Sequence, residues 1–256
     1  MQTAAIAAWW LDCVGHLLSP EGDPVVSSQQ ARASWPVRAV LIDLDGTLLD
    51  TIDDLASAAN AMRVEFGLAA LPIERIRDFI GKGAEVLVER SLTDSFDGTI
   101  EPDRLSGAVK VFRNHYAVIN GLHARCYPGV REGLAALRAQ GLRLACVTNK
   151  PVGFTLPLLE RVGLLDSFGV VVGGDSLPQR KPDPHPLLHA CGALQVAPYE
   201  AVMIGDSIND ALAAKAAGMP VFIVPYGYNE GHPVESLGAD AIVGSLEDVA
   251  RLVVPA

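Results

Sequence analysis

Short apolar runs alternate with helical patterns along the second half of this 256-residue chain, and this alternation most narrows the possible folds. Strands separated by helices of this length form βαβ units, which build a parallel sheet covered on both faces. Pro157 is expected to kink or shorten the helix that contains it. The pattern predicts strands at 142–148, 169–173, 201–205, 221–225 and 241–243, and helices at 129–140, 152–162, 187–194 and 208–217.

A further strand is predicted at residues 37–42, which are mostly apolar and end in Asp43 and Asp45. Side chains of an extended chain alternate between faces, so both acids can project the same way. A purely structural interpretation makes Thr47 the N-cap of the next helix, with Asp50, three residues later, as the other half of the capping pair. That reading leaves Asp43 and Asp45 unexplained, because buried charge must be paired or bound to a cation. The pair therefore indicates a metal-assisted site.

Residues 52–124 show helical periodicity and no strand pattern. We read them as a four-helix unit inserted after the first strand, with an α/β unit formed by 37–51 and 125–256. Residues 1–36 stand apart as an N-terminal extension and linker, in which Trp35 is expected to pack against the edge of the core. The helices of the inserted unit are predicted at 53–66, 73–80, 84–92 and 102–119.

Other strand ends also carry polar groups. Thr148 and Asn149 lie at the end of one strand, where a hydroxyl and free backbone N–H groups are available to an anion. Taken alone, this stretch is better explained by a plain Thr or Asn helix cap. Lys181 lies in the proline-stiffened loop QRKPDPHP, which can place its ammonium near a phosphate. The alternative is a solvated loop lysine. Asp206 ends a strand, and Asp210 lies one helical turn later, where it could cap the helix with the preceding serine.

Together these acids, the hydroxyl and the lysine predict a site for Mg²⁺ and phosphate, because hard oxygen ligands suit Mg²⁺. The Gly-x-x-x-x-Gly-Lys loop of P-loop proteins is absent from the sequence. The formal net charge of −10 argues against a general nucleic-acid surface or an acidic membrane as partner. Four widely spaced cysteines, with no C-x-x-C pair, favour free thiols and a cytoplasmic location.

The motifs DLDGTLLDT, VTNK, the lysine of RKPDP and GDSINDALAAKAAG, in that order, resemble the four motifs of the haloacid dehalogenase superfamily of phosphatases. The stretches IGKGAEVLVERSL and PYGYNEGHPVESLGADAIVGSLEDV are similar to those of bacterial phosphoglycolate phosphatases. The resemblance covers nearly all of residues 37–250. It implies a Rossmann-like parallel-sheet core in an α/β fold, with residues 52–124 as an inserted helical cap domain.

The same resemblance implies roles for individual residues. Asp43 would attack phosphorus and form an aspartyl phosphate, and Asp45 would act as general acid and base. Mg²⁺ would be held by Asp43, the backbone carbonyl of Asp45 and Asp206, with Asp210 beside it or as a further ligand. The phosphate-binding residues would be Thr148, Asn149 and Lys181; spacing alone leaves Lys150 as a competitor for the lysine's role.

The expected reaction is Mg²⁺-dependent hydrolysis of 2-phosphoglycolate, a small phosphorylated metabolite, by a monomer or homodimer. Lys82, between two glycines in the cap, is expected either to pair with the substrate's carboxylate or to be a solvated lysine at a helix junction. The alternatives are another small-molecule phosphatase, acting on a sugar phosphate or pyrophosphate, and a phosphomutase of the same superfamily. A catalytically silent regulatory protein is disfavoured, because the acids are intact.

Overall fold

The structure is a computed structural model that describes residues 34–256. The N-terminal extension therefore lies outside the described residues, apart from its last three. The strands are β1 Trp35–Val37, β2 Ala39–Ile42, β3 Leu49–Asp50, β4 Arg125–Cys126, β5 Arg143–Val147, β6 Val170–Val172, β7 Ala201–Gly205, β8 Val221–Ile223, β9 Ala241–Ile242 and β10 Val253–Pro255. The α-helices are α1 Ile52–Glu65, α2 Ile73–Arg77, α3 Ala84–Thr93, α4 Pro102–Ile119, α5 Val130–Ala139, α6 Val152–Arg161, α7 His185–Leu194, α8 Ile208–Ala216 and α9 Leu246–Leu252.

The core is a six-stranded parallel sheet in the order β6-β5-β2-β7-β8-β9. The four residues of β2 are all buried, and they alternate between two hydrophobic clusters. Val40 and Ile42 belong to one cluster, and Ala39 and Leu41 belong to the other. Since successive side chains of a strand point to opposite faces, these clusters cover the two faces of the sheet. The α/β prediction is confirmed.

Helices α1–α4 follow the first strand, as predicted, and they bury a third hydrophobic cluster. Its largest members include Phe79 after α2, Phe112 and Tyr116 of α4, and Tyr228 from the loop after β8. The helices pack mainly on one another, with α1 lying along α4. The inserted segment thus has an apolar interior of its own, beside the sheet's carboxyl edge.

Two local expectations were wrong in whole or in part. Pro157 does not shorten helix α6, which continues through it to Arg161. Pro157 and Gly153 are both exposed, so the Gly153 carbonyl that loses its N–H partner can bind water. The second error concerns Thr47 and Asp50, since no helix begins there: α1 begins at Ile52, and Asp50 lies in β3.

Four short strands and one helix were not predicted. Strand β1 pairs with β10 in parallel, and β3 pairs with β4 in antiparallel fashion. The ring of Trp35 in β1 meets that of Phe222 edge-on, with centroids 5.4 Å apart, so its predicted packing against the core is confirmed. Among residues 34–256, no helix combines the length and apolarity needed to cross a membrane.

Candidate active site

Two of the predicted acids, Asp43 and Asp206, follow adjacent strands of the sheet. Asp43 directly follows β2, and Asp206 directly follows β7, which pairs with β2 in parallel. The backbone N–H of Asp43 donates to the Ile204 carbonyl (2.9 Å), which extends the ladder to the point where the acids emerge. Asp210 in the first turn of α8 joins them, and one oxygen from each of the three carboxylates lies within 4.8 Å of the others. We call Asp43, Asp206 and Asp210 the acidic cluster.

Glycine allows the backbone to approach Asp206 closely. Gly46 has a φ of +90°, and a Cβ there would lie 2.2 Å from Asp206 Oδ2. A Cβ on Gly227 would lie 2.2 Å from the Asp206 Cβ. Asp206 accepts hydrogen bonds from the Thr47 hydroxyl (2.8 Å) and from the Tyr228 backbone N–H. Two loops therefore fix the carboxylate. They can approach it this closely only because the residues nearest to it are glycines, which have no Cβ.

Lys181 is inserted into the acidic cluster. Its ammonium lies 2.9 Å from Asp43 Oδ1 and 2.6 Å from Asp210 Oδ1, and it also donates to the Val147 carbonyl (2.7 Å). The other oxygen of Asp210 accepts from the N–H and hydroxyl of Ser207, so the predicted cap at the start of α8 is present. Both Asp210 oxygens are thus occupied, and Asp210 is better suited to support a metal site than to enter it.

Burial and mutual repulsion disfavour the charged forms of these acids. Burial raises the pKa of Asp43 to about 6, although Lys181 counteracts this shift. Burial, followed by the charges of Asp43 and Asp210, raises the pKa of Asp206 well above its usual range. Asp43 Oδ1 is buried, and within residues 34–256 it has no partner besides its ion pair with Lys181. Hard oxygen ligands, crowded and incompletely satisfied, fit a divalent cation such as Mg²⁺.

Thr148 and Asn149 follow β5, the neighbour of β2 on the other side. The Thr148 hydroxyl accepts the N–H of Lys150 (3.2 Å). The side-chain amide of Asn149 donates to the carbonyls of Gly81 (3.0 Å) and Lys181 (2.9 Å). Asn149 therefore ties the loop before α3 and the loop that carries Lys181 to the same strand end.

Asp45 is not a member of the acidic cluster and pairs with a different lysine, Lys150. Both of its carboxylate oxygens lie 2.9–3.0 Å from Lys150 Nζ, and Oδ1 also accepts from the Thr51 hydroxyl (2.7 Å). Burial lowers the pKa of Lys150, but the attraction of Asp45 outweighs this and raises the pKa above its usual value. Lys150 thus remains an ammonium in contact with Asp45, while Lys181 serves Asp43.

A cavity separates these strand ends from the inserted helices. Its floor includes Asp43, Asp45, Thr148, Asn149 and Lys150. Its walls are mostly apolar and come largely from the helical segment, with Leu55, Ile80, Leu87, Phe112 and Tyr116 among them. The free volume is about 50 Å³, several times what one water molecule needs, so the cavity suits a small ligand.

Lys82 does not line this cavity. Its ammonium lies 3.5 Å from a carboxylate oxygen of Glu230, and its side chain is 39% exposed. Glu230 also pairs with Arg90 of α3 at 3.0 Å. The two ion pairs connect the loop after β8 to the helical segment.

Comparison with known proteins agrees with this geometry. The sequence pattern of the haloacid dehalogenase-like hydrolases matches residues 37–218. The chain belongs to this hydrolase family. It is 57% identical to the phosphoglycolate phosphatase of Nitrosospira multiformis over 218 residues, covering 85% of this chain and 96% of that protein. It is 51% identical to the phosphoglycolate phosphatase of Thiobacillus denitrificans over 221 residues, covering 86% and 97%.

A solved structure gives the same result. The crystal structure of a predicted phosphoglycolate phosphatase from Haemophilus somnus superposes with a TM-score of 0.79 and 33% identity, covering 84% of this chain and 97% of that one. The superposition includes both the sheet and most of the inserted helical segment, given this coverage. The fold of this hydrolase is therefore that of its family.

Sequence reasoning missed several residues of this hydrolase's site. The Tyr228 hydroxyl accepts the N–H groups of Thr51 (2.8 Å) and Ile52 (3.1 Å) and donates to Asp50, so it caps α1 from a distant loop. Thr47 had been read as a helix cap, yet it supports Asp206. Tyr228 lay within a stretch similar to the family's, but nothing local links it to a helix start 176 residues earlier.

Proposed function

We propose that the chain hydrolyses 2-phosphoglycolate to glycolate and phosphate with Mg²⁺, through an aspartyl phosphate on Asp43. The observation that carries the proposal is the Asp43 carboxylate, which borders the cavity at the end of β2, with the Lys181 ammonium 2.9 Å from one of its oxygens. A carboxylate at the edge of a cavity can attack the phosphorus of a ligand bound there. The names of the most similar relatives support the choice of substrate.

Asp43 is the proposed nucleophile. Its attack forms a bond between a carboxylate oxygen and phosphorus as the bond to the glycolate oxygen breaks. Lys181 offsets the charge of Asp43 and offers its ammonium to a phosphoryl oxygen, since it already lies 2.9 Å from the carboxylate. The Thr148 hydroxyl and the backbone N–H of Asn149 are the remaining phosphate donors, because the Asn149 side-chain amide is engaged elsewhere.

Asp45 is the proposed general acid and base. It would give its proton to the departing glycolate oxygen and then accept a proton from the water that attacks the phosphorylated Asp43. Lys150 and Thr51 fix the position of this carboxylate at the cavity floor. Asp45 and Asp43 border the same cavity, so both reach one substrate.

Mg²⁺ would be held by Asp43, Asp206 and the backbone carbonyl of Asp45, with Asp210 supporting the site through Lys181. When bound, it offsets the negative charge of the carboxylates and of the transferring phosphoryl group. Thr47 and the Tyr228 N–H keep Asp206 in place for this task. The raised pKa values of Asp43 and Asp206 support the need for such a cation.

The helical segment 52–124 is proposed as a cap domain over a core of 37–51 and 125–256. Its apolar wall would exclude bulk water during phosphoryl transfer. We also propose a cytoplasmic location, which the free cysteines of the described residues support, and action as a monomer or homodimer on a small metabolite.

The test is kcat/KM for a panel of phosphorylated metabolites with Mg²⁺, following inorganic phosphate. We expect 2-phosphoglycolate to lead the panel, with sugar phosphates and pyrophosphate behind. Steady release of phosphate excludes both a mutase and a silent protein. A sugar phosphate at the head of the panel would contradict the assigned substrate while leaving the phosphatase chemistry in place.

A further inference from the structure

The cavity contains a polar group that the proposed mechanism does not use. Tyr116 of α4 lines the cavity and is 1% exposed, and its hydroxyl has no hydrogen-bond partner among the residues the structure describes. Leaving a buried hydroxyl unpaired is unfavourable, because the group loses its hydrogen bonds to water and gains none in return. A donor kept in this state beside an active site is available to a ligand.

Lys150 lies against the same tyrosine. Its ammonium is 4.8 Å from the centroid of the Tyr116 ring, and its side chain is 4% exposed. Among the residues that line the cavity, it is the only lysine, arginine or histidine. An ammonium has three donors. The contacts with Asp45 leave it able to donate to a further anion in the cavity.

The chemistry of the substrate restricts where its second anion can lie. In 2-phosphoglycolate one methylene separates the leaving oxygen from the carboxylate. The group that protonates that oxygen and the group that binds the carboxylate must therefore be neighbours. Asp45 and Lys150 are in direct contact, so they meet this requirement.

We propose that Lys150 and Tyr116 form the carboxylate-binding site, with the ammonium and the phenolic hydroxyl each donating to the substrate's carboxylate. The inference rests on the proposed function and extends it by naming the residues that select the substrate. Lys150 then has two partners, the side chain of Asp45 and the carboxylate of the substrate. It acts through charge and hydrogen bonding on the carboxylate, while Lys181 acts on the phosphate.

Lys82 is the rival for this role, and its position argues against it. Its ammonium lies beside Glu230 and does not line the cavity. Glu230 also neutralises Arg90, so this face of the helical segment already has its own counter-charge. Lys82→Met is accordingly a matched control for Lys150→Met, since both remove an ammonium from a long side chain.

The experiment compares 2-phosphoglycolate with 2-phosphoglycolamide, in which a neutral amide replaces the carboxylate. Any disturbance of Asp45 in Lys150→Met affects both substrates and cancels in the ratio of their kcat/KM values. We expect Lys150→Met to reduce the wild-type preference for the acid by roughly 10-fold or more, the usual worth of a hydrogen bond to a charged group. Tyr116→Phe should reduce it several-fold, and Lys82→Met should leave it unchanged.

If the Lys150→Met enzyme is too slow to assay, a binding measurement replaces the kinetic one. Dissociation constants of the two substrates are then compared by calorimetry in the Asp43→Asn background, with thermal unfolding used to verify the fold. A preserved preference for the acid in Lys150→Met, or its loss in Lys82→Met, would overturn the inference. A wild-type enzyme without any preference for the acid would instead refute the proposed substrate, so the two failures are distinguishable.

Discussion

The two lysines of the active site lie in different loops of the core and have different partners. Lys181 lies within the acidic cluster, where it contacts Asp43 and Asp210. Lys150 contacts Asp45 and lies against Tyr116 of the helical segment. The first environment comes from the core alone, with Asp210 supplied by the first turn of α8. The second joins the core to the inserted helices. The difference separates the groups that cleave a phosphoester from those that choose which one is cleaved.

This separation implies that damage to the two regions should be distinguishable by substrate. A change in the acidic cluster should lower activity on every phosphoester, because all share the phosphoryl group. A change at Lys150 or Tyr116 should alter the ranking of substrates. Asp45 lies between the two, because it acts on the leaving group, which belongs to the variable part of the substrate.

The largest expected effect is that of Asp43→Asn. The amide cannot attack phosphorus, so kcat should fall by roughly 10⁴-fold or more on all substrates, as when other covalent nucleophiles are removed. Because burial raises the pKa of Asp43, the ionised carboxylate is disfavoured in the fold, and the Mg²⁺-free variant should melt no lower than wild type. Phosphate-release assays and thermal unfolding check the two parts. A variant that keeps an appreciable share of wild-type kcat would show that Asp43 is not the nucleophile.

A smaller and substrate-dependent effect is expected from Asp45→Asn. Loss of general acid–base catalysis should lower kcat by about two to four orders of magnitude on 2-phosphoglycolate, whose alkoxide leaving group needs a proton. The loss should be smaller on p-nitrophenyl phosphate, whose leaving group is stable as an anion. The measurement is kcat for both substrates in wild type and variant. Equal losses on the two would argue against Asp45 as the acid in that step.

The residues that sequence reasoning located best are those whose roles depend on strand ends. Asp43 and Asp206 were expected to share a site because each follows a strand of one parallel sheet. One oxygen of each lies with one of Asp210 inside a 4.8 Å limit. Helix α4 was predicted with its observed bounds, since its apolar periodicity is long and uninterrupted. Such features follow from local pattern and from the topology of a parallel sheet.

The features that sequence reasoning could not supply are long-range side-chain contacts. Lys150 and Lys181 were competitors on spacing, and only the fold shows that each has its own acid. The sequence around Tyr116 carries no signal of its position in the site, because periodicity reports burial and not an unpaired hydroxyl. Strands β1 and β10 were missed because three-residue strands give too short an alternation to detect.

The smallest effect is on stability, and it tests the acidic cluster without turnover. Mg²⁺ that binds only the folded state at one hundred times its Kd adds about 2.7 kcal/mol, which for a chain of this size raises Tm by roughly 5–10 °C. The pKa of Asp43 is raised to about 6, above its usual value of 3.8. Without metal, its contribution to stability therefore grows as the pH falls from above 6 towards 3.8, where the folded state takes up the proton first.

Since Mg²⁺ needs the ionised carboxylates, the Tm difference between Mg²⁺ and a chelator should be largest near pH 8 and should shrink towards pH 5. Asp206→Asn removes one proposed ligand and should abolish most of this difference at both pH values. Lys82→Met, outside the cluster, should keep the wild-type difference at both. Thermal unfolding of the three proteins at the two pH values decides the matter. An Mg²⁺ shift that is independent of pH, or one that survives in Asp206→Asn, would place the ion elsewhere and leave the acidic cluster to be neutralised by Lys181 alone.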